Sequence, residues 1–239
     1  MLSASPIYIH PASHGTAQES PQGHTNAMNT MTERRPERRH FSMIRGFHLA
    51  DFFTLGNAAC GTAAVFLAML YMAQGRIDHF YASAVLMVAA LIFDVFDGRI
   101  ARWRQQNSSL GRELDSLADV ISFGVGPAAL GFAAGLQGGW DVAILLYFVC
   151  CGVSRLARYN VTAESMSGAD DKVAYFEGTP IPTSVLLAAI LAFAAWQGHI
   201  GDALYGGVWL LGWQLHPMAL MFLLSGTLMI SKTLRIPKL

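Results

Sequence analysis

Apolar segments long enough to cross a membrane constrain this chain more than any other feature. A bilayer core needs about 20 consecutive apolar residues in a helix, because each backbone polar group must be satisfied within the segment. Hydrophobic residues make up 53% of the 239 residues and charged residues only 13%, which is unusual for a soluble domain. The sequence therefore predicts an all-α integral membrane protein with six transmembrane helices, at approximately residues 54–73, 79–102, 111–134, 139–160, 181–198 and 208–231.

Basic residues predict the orientation of these helices. If the N-terminus is cytosolic, every Lys and Arg except Arg76 falls in a segment that faces the cytosol. Such a bias sets the topology of a membrane protein. Both termini are therefore expected to be cytosolic and the protein to be integral to the cell inner (cytoplasmic) membrane. The formal net charge is zero, which argues against a nucleic-acid partner.

The regions outside the six spans have different compositions. Residues 1–40 are polar and lack the apolar core of a signal peptide, so they are predicted to form a disordered cytosolic tail. Residues 41–53 mix aromatic and charged side chains, which is typical of an amphipathic helix at the membrane interface. Residues 54–231 form the predicted six-helix domain, and residues 232–239 are predicted to be a basic cytosolic tail.

Four aspartates lie where the second and third predicted spans meet. Helical periodicity places residues three and four apart on one face, and this predicts two acidic faces. The first face holds Asp94 and Asp97, and the second holds Asp115 and Asp119. The polar stretch 103–110 between them is short, so we expect an antiparallel helical hairpin in which the two acidic faces meet.

Four neighbouring carboxylates beside a membrane require compensating positive charge, because desolvation and mutual repulsion both disfavour them. Their oxygens suit two divalent cations, Mg²⁺ or Mn²⁺, in a site for two-metal phosphoryl transfer. Gly98 and Gly111 would leave room for a nucleotide, and Arg102 could donate to a phosphate. Charge alone leaves two alternatives, which are structural ion pairs with nearby arginines and a divalent-cation transporter.

The spacing of these residues resembles the signature of the CDP-alcohol phosphotransferase family of membrane enzymes. The matching pattern is Asp94-x2-Asp97-Gly98-x2-Ala101-Arg102-x8-Gly111-x3-Asp115-x3-Asp119. The resemblance implies a cytosol-facing active site between the second and third spans, and a homodimer. It also implies that Asp94, Asp97 and Asp115 are metal ligands, and that Asp119 binds the second metal and is the catalytic base.

The same resemblance implies a set of residues that contact the CDP-linked lipid. Gly98, Arg102 and Ser108 match family positions of this kind, and Asn57 is similar to a residue of the first span that lines the nucleotide pocket. Helix packing is an equally good explanation for Asn57. The implied lipid substrate is CDP-diacylglycerol, which lies in the bilayer.

The acceptor alcohol depends on residues outside the signature. Segments 117–128, 155–161 and 175–182 resemble the branch of the family that uses L-serine and releases CMP. Serine is a zwitterion, so Arg155 or Arg158 could bind its carboxylate and Glu177 its ammonium group. Glycerol 3-phosphate, inositol phosphate and choline remain alternative acceptors, the last because aromatic residues able to bind a quaternary ammonium lie nearby in the sequence, namely Tyr159, Tyr175 and Phe176.

Overall fold

The computed structural model of the chain describes residues 49–104, 109–166, 175–201, 204, 206–231 and 235–237. The predicted tail 1–40, most of the predicted interfacial helix and Ser108 lie outside these residues. Four of the described helices are long and apolar enough to cross a membrane, and they are Asp51–Gln74, Ile77–Ile100, Leu110–Ala133 and Gly139–Val161. The prediction of a helical membrane protein is thereby confirmed.

The first two helices form a tight antiparallel pair. Helix α1 (Leu49–Gln74) is followed after two residues by α2 (Ile77–Arg104). Gly75 makes the turn between them with a φ of 67°, a left-handed conformation that glycine adopts without steric cost. The buried Ser83 hydroxyl donates a hydrogen bond of 2.8 Å to the Ala64 carbonyl. This bond fixes the register of α2 against α1 within the apolar interface.

The third span is a continuous run of three helical segments with an irregular centre. Helix α3 (Ser109–Asp119) leads into a π-helical segment (Val120–Val125) and then into α4 (Gly126–Ala133). All three pack against α1. Their closest approach is at Gly61, where an added Cβ would lie 2.6 Å from the Cα of Ser122. The absence of a side chain at Gly61 therefore allows the wide π-helical turn to contact the α1 backbone.

The remaining helices pack around α5 (Gly139–Met166). Helix α7 (Ala219–Ile230) lies along α5, and the Phe148 and Phe222 rings meet edge to face at 5.3 Å. A 3₁₀ turn, Ile181–Ser184, precedes α6 (Val185–Trp196). Strand β1 (Tyr175–Glu177) pairs antiparallel with the last strand, whose residues are Arg235–Pro237. That pairing brings part of the predicted basic tail beside the segment that precedes α6.

The prediction of one helical span over 208–231 is wrong in its first half. Val208–Leu210 and Trp213–Leu215 are strands β2 and β3 of an antiparallel hairpin, and Arg235–Pro237 is therefore β4. Pro217 follows the hairpin, and a proline inside a helix removes a backbone hydrogen bond. Only the 12 residues of α7 are helical in this region, which at 1.5 Å per residue is a length of about 18 Å.

We expect Gly61→Ala to destabilise the protein, because the added methyl group must displace Ser122 or α1. Overpacking of this kind costs about 1–3 kcal/mol, so the thermal unfolding midpoint in detergent should fall. Gly124→Ala is the matched control, since a Cβ at Gly124 would meet no atom within 4 Å. Equal midpoints for the two variants would contradict the close contact at Gly61.

Candidate active site

The acidic faces of α2 and α3 meet, as the sequence predicted. One carboxylate oxygen from each of Asp94, Asp97 and Asp115 lies within 4.8 Å of the other two. Asp94 and Asp97 are one helical turn apart on α2, and Asp115 faces them from α3. Asp97 is buried, and the other two are partly exposed. Helices α2 and α3 therefore bring three carboxylate oxygens to one point.

Asp119 lies one turn beyond Asp115 and is only 7% exposed. Its carboxyl group lies close enough to that of Asp94 for the two to interact directly. Asn57 of α1 donates a hydrogen bond of 3.2 Å from Nδ2 to Asp119 Oδ1. Asp119 is thus attached to the acidic cluster on one side and to α1 on the other.

Helix α1 provides hydrogen-bond donors to the carboxylates. Besides Asn57, Thr54 donates a bond of 2.9 Å from Oγ1 to Asp97 Oδ2. Thr54 and Asn57 are one turn apart and both are buried. The sequence predicts a site role for Asn57 but none for Thr54. The available signal was a pair of polar residues three apart in an otherwise apolar span, which predicts a polar stripe on one helix face.

The composition of the cluster fits a hard divalent cation. All of its candidate ligands are carboxylate oxygens, which suit Mg²⁺ and Mn²⁺. The buried Oδ1 of Asp115 has no hydrogen-bond partner in the described part of the chain. An acceptor oxygen in that state is costly unless a cation or water satisfies it. The residues present are therefore suitable for holding the metal that the sequence predicted.

The two arginines of α5 differ in their surroundings. Arg155 is half-buried and interacts electrostatically with Asp119 and Tyr159. Its Nε is buried and has no hydrogen-bond partner among the described residues. Arg158 is exposed. Arg155 is thus the arginine that α5 brings to the acidic cluster.

A polar contact that the sequence argument did not identify joins α5 to α3. Asn160 donates a hydrogen bond of 3.0 Å from Nδ2 to Ser116 Oγ. Ser116 is adjacent to Asp115 in the chain. Asn160 lies five residues after Arg155, so the same end of α5 that carries the arginine also holds the acidic helix.

The structure describes only some of the other predicted site residues. A Cβ at Gly98 would meet no atom within 4 Å, so this position on α2 faces open space, as expected beside a nucleotide. Gly111 lies on α3, one turn before the cluster. Arg102 lies on α2 but its side chain is not described, and Ser108 lies outside the described residues. Glu177 is in β1, where only the backbone is described.

These features define a membrane protein of apolar helices with an acidic cluster, suitable for a cation, between its second and third long helices. The family model described as CDP-alcohol phosphatidyltransferase matches residues 47–225. The chain belongs to this family, and the resemblance found in its acidic signature is confirmed.

Curated relatives share one name. The CDP-diacylglycerol–serine O-phosphatidyltransferase of Saccharomyces cerevisiae is 40% identical over 208 residues, covering 84% of this chain and 75% of the yeast protein. A Bacillus subtilis protein of the same name is 36% identical, covering 61% of this chain and 76% of the relative. A Helicobacter pylori protein with that name is 36% identical, over 59% of this chain and 55% of the relative.

Family membership makes this chain an enzyme, a phosphatidyltransferase. The divalent-cation transporter that charge alone had left possible is therefore excluded as the class of this protein.

We expect Asp115→Asn to weaken divalent-cation binding by at least about tenfold, because loss of a charged ligand removes much of the attraction for a hard cation. Binding can be followed as the decrease of the free Mn²⁺ electron paramagnetic resonance signal during titration. Glu113→Gln is the matched control, since Glu113 is an exposed carboxylate on the same helix. Unchanged binding in Asp115→Asn would exclude this residue as a ligand.

Proposed function

We propose that this chain transfers the phosphatidyl group of CDP-diacylglycerol to L-serine, giving phosphatidylserine and CMP. The observation that carries this proposal is the position of Arg155, which α5 holds within electrostatic range of Asp119. A cation in that range of a candidate base suits an acceptor with both a hydroxyl and a carboxylate. The serine in the names of the relatives supports the same acceptor.

The donor would bind along the acidic hairpin. Asp94, Asp97, Asp115 and Asp119 would hold two Mg²⁺ or Mn²⁺ ions. When bound, these ions would polarise the pyrophosphate and stabilise the negative charge that develops on the departing CMP. The open space at Gly98 suits close approach of the nucleotide, with Asn57, Arg102, Ser108 and Gly111 as further contacts to the CDP-lipid.

Asp119 would act as the general base. It would take the proton of the serine hydroxyl as the serine oxygen forms a bond to the β-phosphorus. The bond from that phosphorus to the bridging oxygen breaks, and the electron pair leaves with CMP. The 3.2 Å hydrogen bond from Asn57 would keep the Asp119 carboxylate oriented toward the attacking hydroxyl.

The serine pocket would be formed by α5 and the segment before α6. Arg155 would bind the carboxylate, with Arg158 contributing positive charge, and Glu177 would bind the ammonium group. Glycerol 3-phosphate and inositol phosphate would need further basic groups for their phosphates, and choline would need an aromatic cage. A charged pair for carboxylate and ammonium is specific to an amino acid.

The membrane arrangement that follows has six crossing helices. In addition to the four long helices, α6 with its preceding 3₁₀ turn and α7 with the β2–β3 hairpin would complete the fifth and sixth crossings. The bias of Lys and Arg supports cytosolic termini and a cytosol-facing site in the inner membrane. We further propose that the enzyme is a homodimer, as the family resemblance implies.

The proposed reaction can be tested with purified protein, CDP-diacylglycerol and isotopically labelled acceptors. We expect phosphatidylserine and equimolar CMP, with formation of both abolished by chelation and restored by Mg²⁺ or Mn²⁺. Serine, glycerol 3-phosphate, inositol phosphate and choline should be compared in one competition. Preferential use of another acceptor would overturn the serine assignment while leaving the phosphatidyltransferase assignment unchanged.

We expect Asp119→Asn to lower kcat by about 10²–10⁴-fold, the contribution typical of a positioned base. Binding of CDP-diacylglycerol should change by only a few-fold, since Asp94, Asp97 and Asp115 remain. Turnover and equilibrium binding of labelled donor provide the two measurements. Asp78→Asn, at an exposed carboxylate near the start of α2, is the control. Near-normal kcat in Asp119→Asn would exclude it as the base.

Arg155→Ala should raise the KM for serine by about 10–100-fold, because a charge-assisted hydrogen bond contributes about 1.5–3 kcal/mol. The KM for CDP-diacylglycerol should be nearly unchanged. Arg158→Ala is the comparison variant, since it removes the same charge one turn away, and its secondary contribution to the pocket predicts a smaller increase in the KM for serine. Equal increases in serine KM for both variants would show that general positive charge, not a specific contact at Arg155, is responsible.

A further inference from the structure

The β2–β3 hairpin presents an apolar tip that the proposed reaction does not use. Leu211, in the turn, is 86% exposed, and Trp209 is 72% exposed. Val208, Leu210 and Trp213 are exposed as well. Residues 206–215 contain no charged side chain. Clustered exposed apolar groups of this kind are characteristic of a surface that contacts another apolar phase.

The turn of the hairpin holds a large apolar residue in an unfavourable backbone conformation. Leu211 and Gly212 have φ angles of 51° and 81°, which correspond to a two-residue type I′ turn. Asn-Gly is the preferred sequence for such a turn, because a left-handed conformation is unfavourable for a large side chain. Leu211 is therefore both strained and exposed. Contact between the Leu211 side chain and an apolar environment would offset the cost of the strained backbone and the cost of exposing the side chain to water.

The opposite side of the hairpin is fixed to the start of α5. Asp141 is fully buried, and it accepts hydrogen bonds from the backbone N of His216 at 2.8 Å and from its ring Nδ1. Trp140 Nε1 donates to the Leu210 carbonyl at 2.8 Å. A Cβ at Gly139 would lie 2.6 Å from the Trp213 ring. These contacts attach the hairpin to the start of α5, while Leu211 and Trp209 remain exposed.

The hairpin and the acidic cluster lie at opposite ends of α5. It contacts Trp140 and Asp141 at the start of α5, whereas Asn160 near the other end of α5 contacts Ser116 beside the cluster. The distance from Trp140 to Asn160 along a helix is about 30 Å at 1.5 Å per residue, which equals the thickness of a bilayer core. Tryptophan is enriched at the boundaries of that core.

We propose that the β2–β3 hairpin is a lipid anchor that places Leu211 and Trp209 at the boundary between headgroups and acyl chains of the leaflet opposite the acidic site. The occupant is lipid because the uncharged tip continues the apolar surface of the membrane-spanning helices. The length of α7 also favours lipid contact at the hairpin. A 12-residue helix cannot cover the full apolar thickness, and the hairpin supplies apolar surface at the level where α7 begins.

The anchor can be tested by fluorescence in nanodiscs that contain the full chain. The signal of Trp209 is obtained as the difference between the unmodified protein and Trp209→Phe. We expect lipids brominated near the carbonyl end of the acyl chain to quench this signal, and aqueous iodide to have little effect. Quenching by iodide instead would place the tip in water. Protection from both quenchers would show that protein covers the tip, and either result would overturn the proposal.

A second variant separates lipid contact from folding. Leu211→Asn relieves the backbone strain of the turn, so the hairpin should remain folded and the unfolding midpoint in detergent should not fall. The bromine quenching of Trp209 should decrease, because the tip becomes more polar. Unchanged quenching in this variant would show that Leu211 does not contribute to anchoring.

Two buried serines hold the π-helical segment in place. Ser122 donates a hydrogen bond of 2.9 Å to the Asn57 carbonyl. Ser184, at the end of the 3₁₀ turn, donates a bond of 2.6 Å to the Phe123 carbonyl. Both serines are fully buried. The wide turn after Asp119 is thus bonded to α1 on one side and to the segment before α6 on the other.

We infer that Ser122 and Ser184 are positioning residues for Asp119, an inference that rests on the proposed function. Asn57 accepts the bond from Ser122 through its backbone and donates to Asp119 through its side chain. A shift of the π-helical segment would therefore move both the base and the group that orients it. Neither serine contacts the acidic cluster directly in any hydrogen bond found among the described residues.

Ser184→Ala tests this inference. We expect kcat to fall and Mn²⁺ binding to weaken by about 10–100-fold, the usual effect of losing a group that orients a ligand. Ser184→Thr, which keeps the hydroxyl, should restore both. A lower unfolding midpoint with normal kcat and Mn²⁺ binding would show a purely structural role. If the unmodified protein makes no phosphatidylserine, the proposed function fails, and Mn²⁺ binding still tests the positioning.

Discussion

Repulsion among four carboxylates is the interaction on which the site depends. Asp94, Asp97 and Asp115 approach within a few ångströms of one another, and Asp119 joins them from one turn deeper. Such a group is tolerable beside a membrane only when donors and cations compensate its charge. The fold provides the donors from α1, a guanidinium from α5, and a geometry that suits divalent cations.

The surrounding bundle keeps these compensating groups in place by close packing and buried hydrogen bonds. Gly61 lets α1 approach the π-helical segment, so that Asn57 reaches Asp119. A π-helical turn next to a reacting group is common in enzymes, because it redirects one side chain without ending the helix. The packing of α1 against the third span therefore also determines where the candidate base Asp119 lies.

Much of the site was predictable from local sequence. The spacing of the four aspartates predicts two acidic faces, because helical periodicity acts over a few residues and does not require knowledge of the fold. The spacing of Thr54 and Asn57 predicts a polar stripe on α1 but not that Thr54 bonds to Asp97. The contribution of Ser184 was not predictable, since it reaches its partner from a distant segment. The hairpin at 208–215 was also missed, because a short run of apolar residues fits a strand as well as a membrane helix.

The sequence by itself determined the class of the protein, the long apolar helices and the acidic hairpin, for these follow from length, composition and the helical repeat. Tertiary structure decided which polar groups meet the carboxylates. Arg155 and Arg158 are equivalent in type and only three residues apart in the sequence, yet Arg155 is half-buried within electrostatic range of Asp119 whereas Arg158 is exposed. That difference depends on how α5 is rotated against α3, and rotation is set by packing across the whole bundle.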